Sequence, residues 1–244
     1  MVKGQYAETI RSGRPGASIG PFTVGSNVFQ IQSGVNLGKM DSEIETASST
    51  NATTVIRYGV LEWLEVSALA NYASINHTEP GPGFRSKGIN AAHIGFRVNI
   101  RDGKGRGPNI GFQSRLKLNV LSEDFDQPRV GTASILILSQ SLGNKLGLTV
   151  NTGIVTSGNP EIKNPTGRYT LNLSMPVSQR VSVFIESFGS LFEGDLDTAF
   201  DTGLAYLANP DLQFDLSLGY GKNEGIQDYF VDFGFSWRTR WGSE

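Results

Sequence analysis

LQFDLSLGYG (212–221) alternates at every step. Leu212, Phe214, Leu216, Leu218 and Tyr220 fall on one side, and Gln213, Asp215, Ser217, Gly219 and Gly221 on the other. A period of two belongs to a β-strand with one apolar and one wet face. The fold turns on which of those faces points inward.

The same period recurs from residue 28 onward. Ile56, Tyr58 and Val60 oppose Arg57 and Gly59; Ile94, Phe96 and Val98 oppose His93, Gly95 and Arg97. Phe112 and Leu116 oppose Gln113, Arg115 and Lys117, and Leu171 and Leu173 oppose Arg168 and Asn172. Near residue 185 the wet side carries Glu186 but also Phe184 and Phe188, and TASILILSQ (132–140) is apolar on both faces, which leaves its register open. The count comes to about twelve strands, and bacterial up-and-down barrels close on an even number. Short turns centre on Glu62-Trp63, Gly143-Asn144, Val177-Ser178-Gln179 and Asn209-Pro210, with a somewhat longer GKGRGPN (103–109). Longer polar stretches at 38–52, 74–88, 121–129, 156–166, 192–198 and 222–227 alternate with them. Tight turns at one end and longer loops at the other are the layout of an outer-membrane barrel, with both termini at the periplasmic, short-turn end.

A soluble β-protein turns its apolar face inward and covers the outside with charge. Here no apolar face carries a charge, and the wet faces are rich in Gly, Ser, Thr, Asn and Gln with only sparse charges. Small polar residues suit a confined lumen, and exclusion of charge suits lipid, where a midplane Lys or Arg costs about 2–4 kcal/mol. Tyr58, Trp63, Tyr72, Tyr169, Tyr206, Tyr220, Tyr229 and Trp237 fall near strand ends, as an interfacial aromatic girdle does. The polar side of LQFDLSLGYG is therefore expected inside. On this reading Leu216 faces lipid and Ser217 faces a lumen able to accommodate a charge.

Composition agrees. Twenty-one basic and 23 acidic residues give a net charge of −2, which offers no pull toward nucleic acid. The absence of cysteine excludes disulfides and thiolate metal sites. No apolar run approaches the ~20 residues of a membrane-spanning helix. The opening MVKGQYAETIRSGRPG lacks a signal-peptide apolar region; with an outer-membrane barrel behind it, a signal already removed is the expectation.

Four segments carry a family resemblance: RPGASIGPFTVGSNVFQIQSG (14–34), VIRYGVLEWLEVSA (55–68), YLANPDLQFDLSLGYGKN (206–223) and DYFVDFGFSW (228–237). Together, across residues 14–237, the chain resembles bacterial outer-membrane proteins of the phenol-degradation meta-pathway transporter type. The resemblance implies an outer-membrane barrel with a role in uptake of small, aromatic or otherwise hydrophobic molecules. It departs from the family where Gly13 and Gly16, rather than acids, flank Arg14-Pro15.

The lumen charges are sorted. Arg57, His93, Arg97, Arg115, Lys117 and Arg168 come from strands two to eight, and Glu186, Asp201, Asp215 and Asp232 from strands nine to twelve, with Glu65 the exception. Either the two groups form a transverse field in a pore, or they meet across a narrow lumen as a plug of salt bridges. Enzyme chemistry finds no support: the chain has only His77 and His93, and no nucleophile neighbours His93 on its face. The acidic loops SEDFD (122–126) and EGDLD (193–197) lack EF-hand spacing, and GKGRG (103–107) lacks the GK[ST] of a P-loop. No cofactor or metal is expected.

The sequence thus predicts an all-β, closed, up-and-down transmembrane barrel over 26–241. It is preceded by a periplasmic segment or strap at 1–25, anchored by Ile19, Phe22 and Val24, and followed by a short tail at 242–244. The expected function is passage of small solutes, with outer-membrane lipid and a small-molecule solute as partners. The alternative is a non-conducting accessory barrel that docks other envelope proteins.

Overall fold

The computed structural model describes residues 8–41, 46–78, 83–103, 107–143, 145–223 and 226–240. Asn144, the middle of GKGRG and the 242–244 tail lie outside them. Among the described residues twelve strands follow in order: β1 (Val28–Asp41), β2 (Thr46–Leu61), β3 (Leu64–Thr78), β4 (Phe84–Arg101), β5 (Asn109–Lys117), β6 (Gly131–Leu142), β7 (Leu146–Thr156), β8 (Thr166–Pro176), β9 (Val181–Phe192), β10 (Asp195–Asn209), β11 (Leu212–Asn223) and β12 (Ile226–Arg240). Each pairs antiparallel with its chain neighbour, and β12 pairs with β1, so the sheet closes and has no free edge.

The barrel is inside-out relative to a soluble protein. Leu216 is 41% exposed on the outer wall while Ser217 beside it is 2% exposed. The same holds around the circuit. Phe96, Leu116, Leu171, Ile185, Leu204 and Phe233 face out, whereas Gln30, Arg57, Arg97, Gln113, Asn151 and Gln213 are buried inside. The alternation of two, set by the pleat, sorts side chains between lipid and lumen. It also resolves β6: Gln113 pairs with Ile135 and Gly111 with Ile137, so both isoleucines face the lumen, while Leu136 and Leu138 face out.

The strands run further than apolar alternation suggests. β1 and β2 stay paired to Asp41↔Thr46, β9 and β10 to Phe192↔Asp195, and β3 and β4 to His77↔Phe84. Sequence places these residues in loops because their side chains are polar on both faces. The ladder hydrogen bonds belong to the backbone, however, and continue above the lipid-facing band. The turn Glu62-Trp63 falls as expected, and the turn expected at Asn209-Pro210 is as tight but lies one residue on, at Pro210-Asp211, because Asn209 still pairs with Leu212.

Aromatic side chains form two tiers. Tyr58, Trp63, Tyr206 and Trp237 lie outward near the tight-turn end, and Tyr72, Tyr220 and Tyr229 lie outward eight or nine residues along the strands. Tyr229 to Trp237 is about 26 Å of strand, or ~20 Å of height at a tilt of ~40°, close to the ~25 Å apolar band of such barrels. Tyr169 lies over Gly189 of β9 and shares a hydrogen bond of 2.8 Å with Thr198 on β10.

Candidate functional site within the lumen

The interior is organised by the segment before β1. Residues 8–27 run along the inner wall against the strand order, held by one polar contact after another. At the start, the Ile10 amide donates to the Pro210 carbonyl (2.8 Å) and Arg238 donates to the Glu8 carbonyl. Ser12 Oγ meets Ser236 Oγ of β12 at 2.6 Å and accepts from Gln32 of β1. Arg14 donates to Asp215 of β11 at 2.9 Å and pairs with Asp232 of β12. The amides of Ala17 and Ser18 both donate to the Glu186 carboxylate of β9, at 2.6 and 2.8 Å. Ser18 meets Thr170 of β8, and Ile19 exchanges two hydrogen bonds with the Asn151 side chain of β7. Arg97 of β4 reaches the carbonyls of Gly20 and Phe22, and the Val24 amide donates to Glu65 of β3 at 2.9 Å. The segment then enters β1 at Val28 after nearly a full turn around the inside.

Glycines make room for this strap. Gly34 of β1 and Gly234 of β12 are paired across the ladder, and a Cβ on either would overlap the Arg14 guanidinium. A Cβ at Gly59 would strike the Gly25 backbone, and one at Gly111 would press on Pro21. The space of a missing side chain is used here, on a face that sequence reads only as wet. Burial alone would lower the Arg14 pKa, but Asp215 and Asp232 raise it above its ordinary value, so the guanidinium stays charged.

The eleven lumen charges named from sequence all lie on the inner face, but they are not brought together as two facing groups. Glu65 is answered within the wall by Arg57 at 2.7 Å and Arg97 at 3.6 Å, and from the strap by Val24. Glu186, Asp215 and Asp232 are answered by strap atoms rather than by cations across the lumen. Asp201 is buried beside Glu186, its strand partner. His93, Arg115, Lys117 and Arg168 remain on one wall, with no ion pair to an acid among the described residues. The acidic loops do not converge: Asp124 accepts from the Lys87 amide and Glu193 from Asn164.

Between the strap and the tight-turn end lies a cavity of about 830 Å³. Its wall mixes hydroxyl and amide groups, among them Asn109, Ser139 and Thr149, with the charged Arg11, Glu62 and Asp102, and Phe22, Trp63 and Phe184 are its aromatic members. Arg11 of the strap caps Phe22, its guanidinium carbon 3.8 Å from the ring centroid. Two further aromatic rings lie inside on the far side: Phe188 and Phe230 meet edge to face at 6.4 Å, and the Phe230 ring occupies the space a Cβ on Gly219 would need.

A family model described as "Putative MetA-pathway of phenol degradation" matches residues 12–239. The chain belongs to this family. The match begins at Ser12, so it takes in most of the strap as well as the barrel. No curated protein matches the sequence. Among solved structures, an outer membrane channel from Pseudomonas putida F1 is similar with a TM-score of 0.73 at 10% identity, over 93% of this chain and 99% of that one. The β domain of the Bordetella autotransporter BrkA gives 0.59 at 13% identity, over 86% and 98%. The translocator domain of the Neisseria meningitidis autotransporter NalP gives 0.55 at 12% identity, over 88% and 89%. These likenesses show a shared barrel fold, and this family member is an outer-membrane β-barrel.

Proposed function

We propose that the barrel carries small solutes across the outer membrane through its lumen, with the N-terminal strap setting the width of the path. The observation that carries this reading is the cavity of about 830 Å³ between strap and wall. That volume falls within the ~300–1,000 Å³ of sites that hold small molecules. A barrel packed solid would have its interior side chains filling the lumen, as narrower barrels do. The family's description, phenol degradation, supports small aromatic or otherwise hydrophobic molecules as the cargo, and the outer membrane channel among the similar folds supports passage. The polar wall with isolated aromatic faces suits molecules that have both a ring and a polar group.

The test is conductance in planar bilayers. Wild-type protein is expected to give small discrete steps, and a variant lacking residues 8–20 larger ones. Membranes that stay silent with both proteins would refute passage and favour the accessory barrel.

A further inference from the structure

The strap answers Glu186, Asp215 and Asp232 on one wall and leaves the basic groups of the other without an ion pair. Arg115 and Lys117 face the lumen from β5, and His93 of β4 is the cross-strand partner of Lys117. Arg168 faces it from β8, across from Gly153 of β7. No acid among the described residues forms an ion pair with any of the four. The Nε of Arg115 and the Nδ1 of His93 are buried with no hydrogen-bond partner. Glu65, the one acid on the strands of this wall, is already engaged by Arg57, Arg97 and the Val24 amide.

The wall between these cations has a particular character. β6 and β7 separate β5 from β8, and the ladder sets Lys117 against Gly131, Arg115 against Ala133, Ala133 against Val155, and Ile135 against Gly153, which in turn pairs with Arg168. At this level the two intervening strands therefore offer only small or apolar side chains to the lumen. The result is an apolar floor with basic groups on both rims. Arg115 and Lys117 are half-buried and Arg168 is exposed, so an anion can reach all three, and like charges gathered without a counter-charge favour its arrival. A guanidinium fork matches a carboxylate with two parallel hydrogen bonds. Inorganic anions would meet the charge but leave the floor uncovered.

We infer that this recess is a binding site for small organic carboxylates, the carboxylate held between Arg115, Lys117 and Arg168 and the apolar body resting on β6 and β7. The inference deepens the passage reading, on which it rests for its place along a solute path, by naming the class of solute.

Benzoate, benzyl alcohol and inorganic phosphate titrated calorimetrically into the detergent-solubilised protein test it. Benzoate should bind, and benzyl alcohol, with the same ring and no charge, and phosphate, with charge and no ring, should each bind at least tenfold more weakly, in line with a charge-assisted pair and a buried ring. The Arg115→Gln/Lys117→Gln double variant should weaken benzoate by about tenfold or more. Arg168→Gln, exposed at the opposite rim and so the safer change for folding, should weaken it too. Phosphate or benzyl alcohol binding as tightly as benzoate would overturn the inference, as would unchanged benzoate affinity in folded variants. Benzoate binding alongside silent bilayers would sink passage and leave the site standing; conducting bilayers without benzoate binding would do the reverse.

Discussion

Arg14 is the residue on which the interior depends. Its guanidinium rests on Gly34 and Gly234 and pairs with Asp215 and Asp232. Arg14→Ala leaves two carboxylates facing each other in a confined space, and breaking a buried pair of this kind costs about 3 kcal/mol. Chemical unfolding in micelles should show that loss, and bilayer steps should widen as the strap loosens. Gly34→Val should move both measurements in the same direction, because its side chain claims the space Arg14 uses; a Gly34→Val protein identical to wild type would show that the guanidinium sits elsewhere. Sequence marked Asp215 and Asp232 as lumen groups from their place opposite Leu216 and Phe233. It could not find their partner: alternation says which face a residue takes, and nothing local says that a residue some 200 positions away will lie against it. The glycine pair was invisible for the same reason, since a glycine on a wet face reads as a small polar position until something is seen resting on it.

The strands themselves were legible almost throughout. Period-two alternation located all twelve and chose the inner face of each except β6. It fell short where its contrast fades: in β6, apolar on both sides, and in the polar upper reaches of β1 to β4, where pairing continues without any apolar signal. β11 gives the sharpest mutational comparison. Leu216→Arg sets a charge on the lipid face and should cost about 2–4 kcal/mol, read as a lower midpoint of unfolding in micelles. Ser217, at 2% exposure, does not have the room its lumen position suggested, because Gly203 and Phe184 crowd it from β10 and β9. Thr149, also facing inward but lining the cavity, is the position where arginine should be tolerated. If Thr149→Arg proves as damaging as Leu216→Arg, the assignment of faces is wrong.

The barrel as a whole presents a continuous apolar belt, including Phe96, Leu116, Leu171, Leu216 and Phe233, bounded by two aromatic tiers. Such a surface needs lipid or detergent. Removing detergent should aggregate the protein, and a monodisperse, folded sample in plain buffer would contradict the membrane reading. Orientation follows from the turns. Cysteine in place of Asn76, exposed at the long-strand end of β3, should react with an impermeant thiol reagent on intact cells, whereas cysteine in place of Ser178, exposed in the tight turn before β9, should not. The opposite labelling would invert the barrel in the membrane.

The strap also bears on how the barrel comes together. It precedes β1 in the chain, yet Ser12 and Arg14 take partners from β12, the last strand made, and further along it leans on β9, β8, β7, β4 and β3. No partly assembled sheet offers all of those partners. The first segment to be synthesised is thus among the last to find its place, and its docking registers that the circle of strands is complete. Protection of residues 8–27 from protease should therefore appear only after β1 and β12 have joined, which makes this short stretch a built-in reporter of barrel closure.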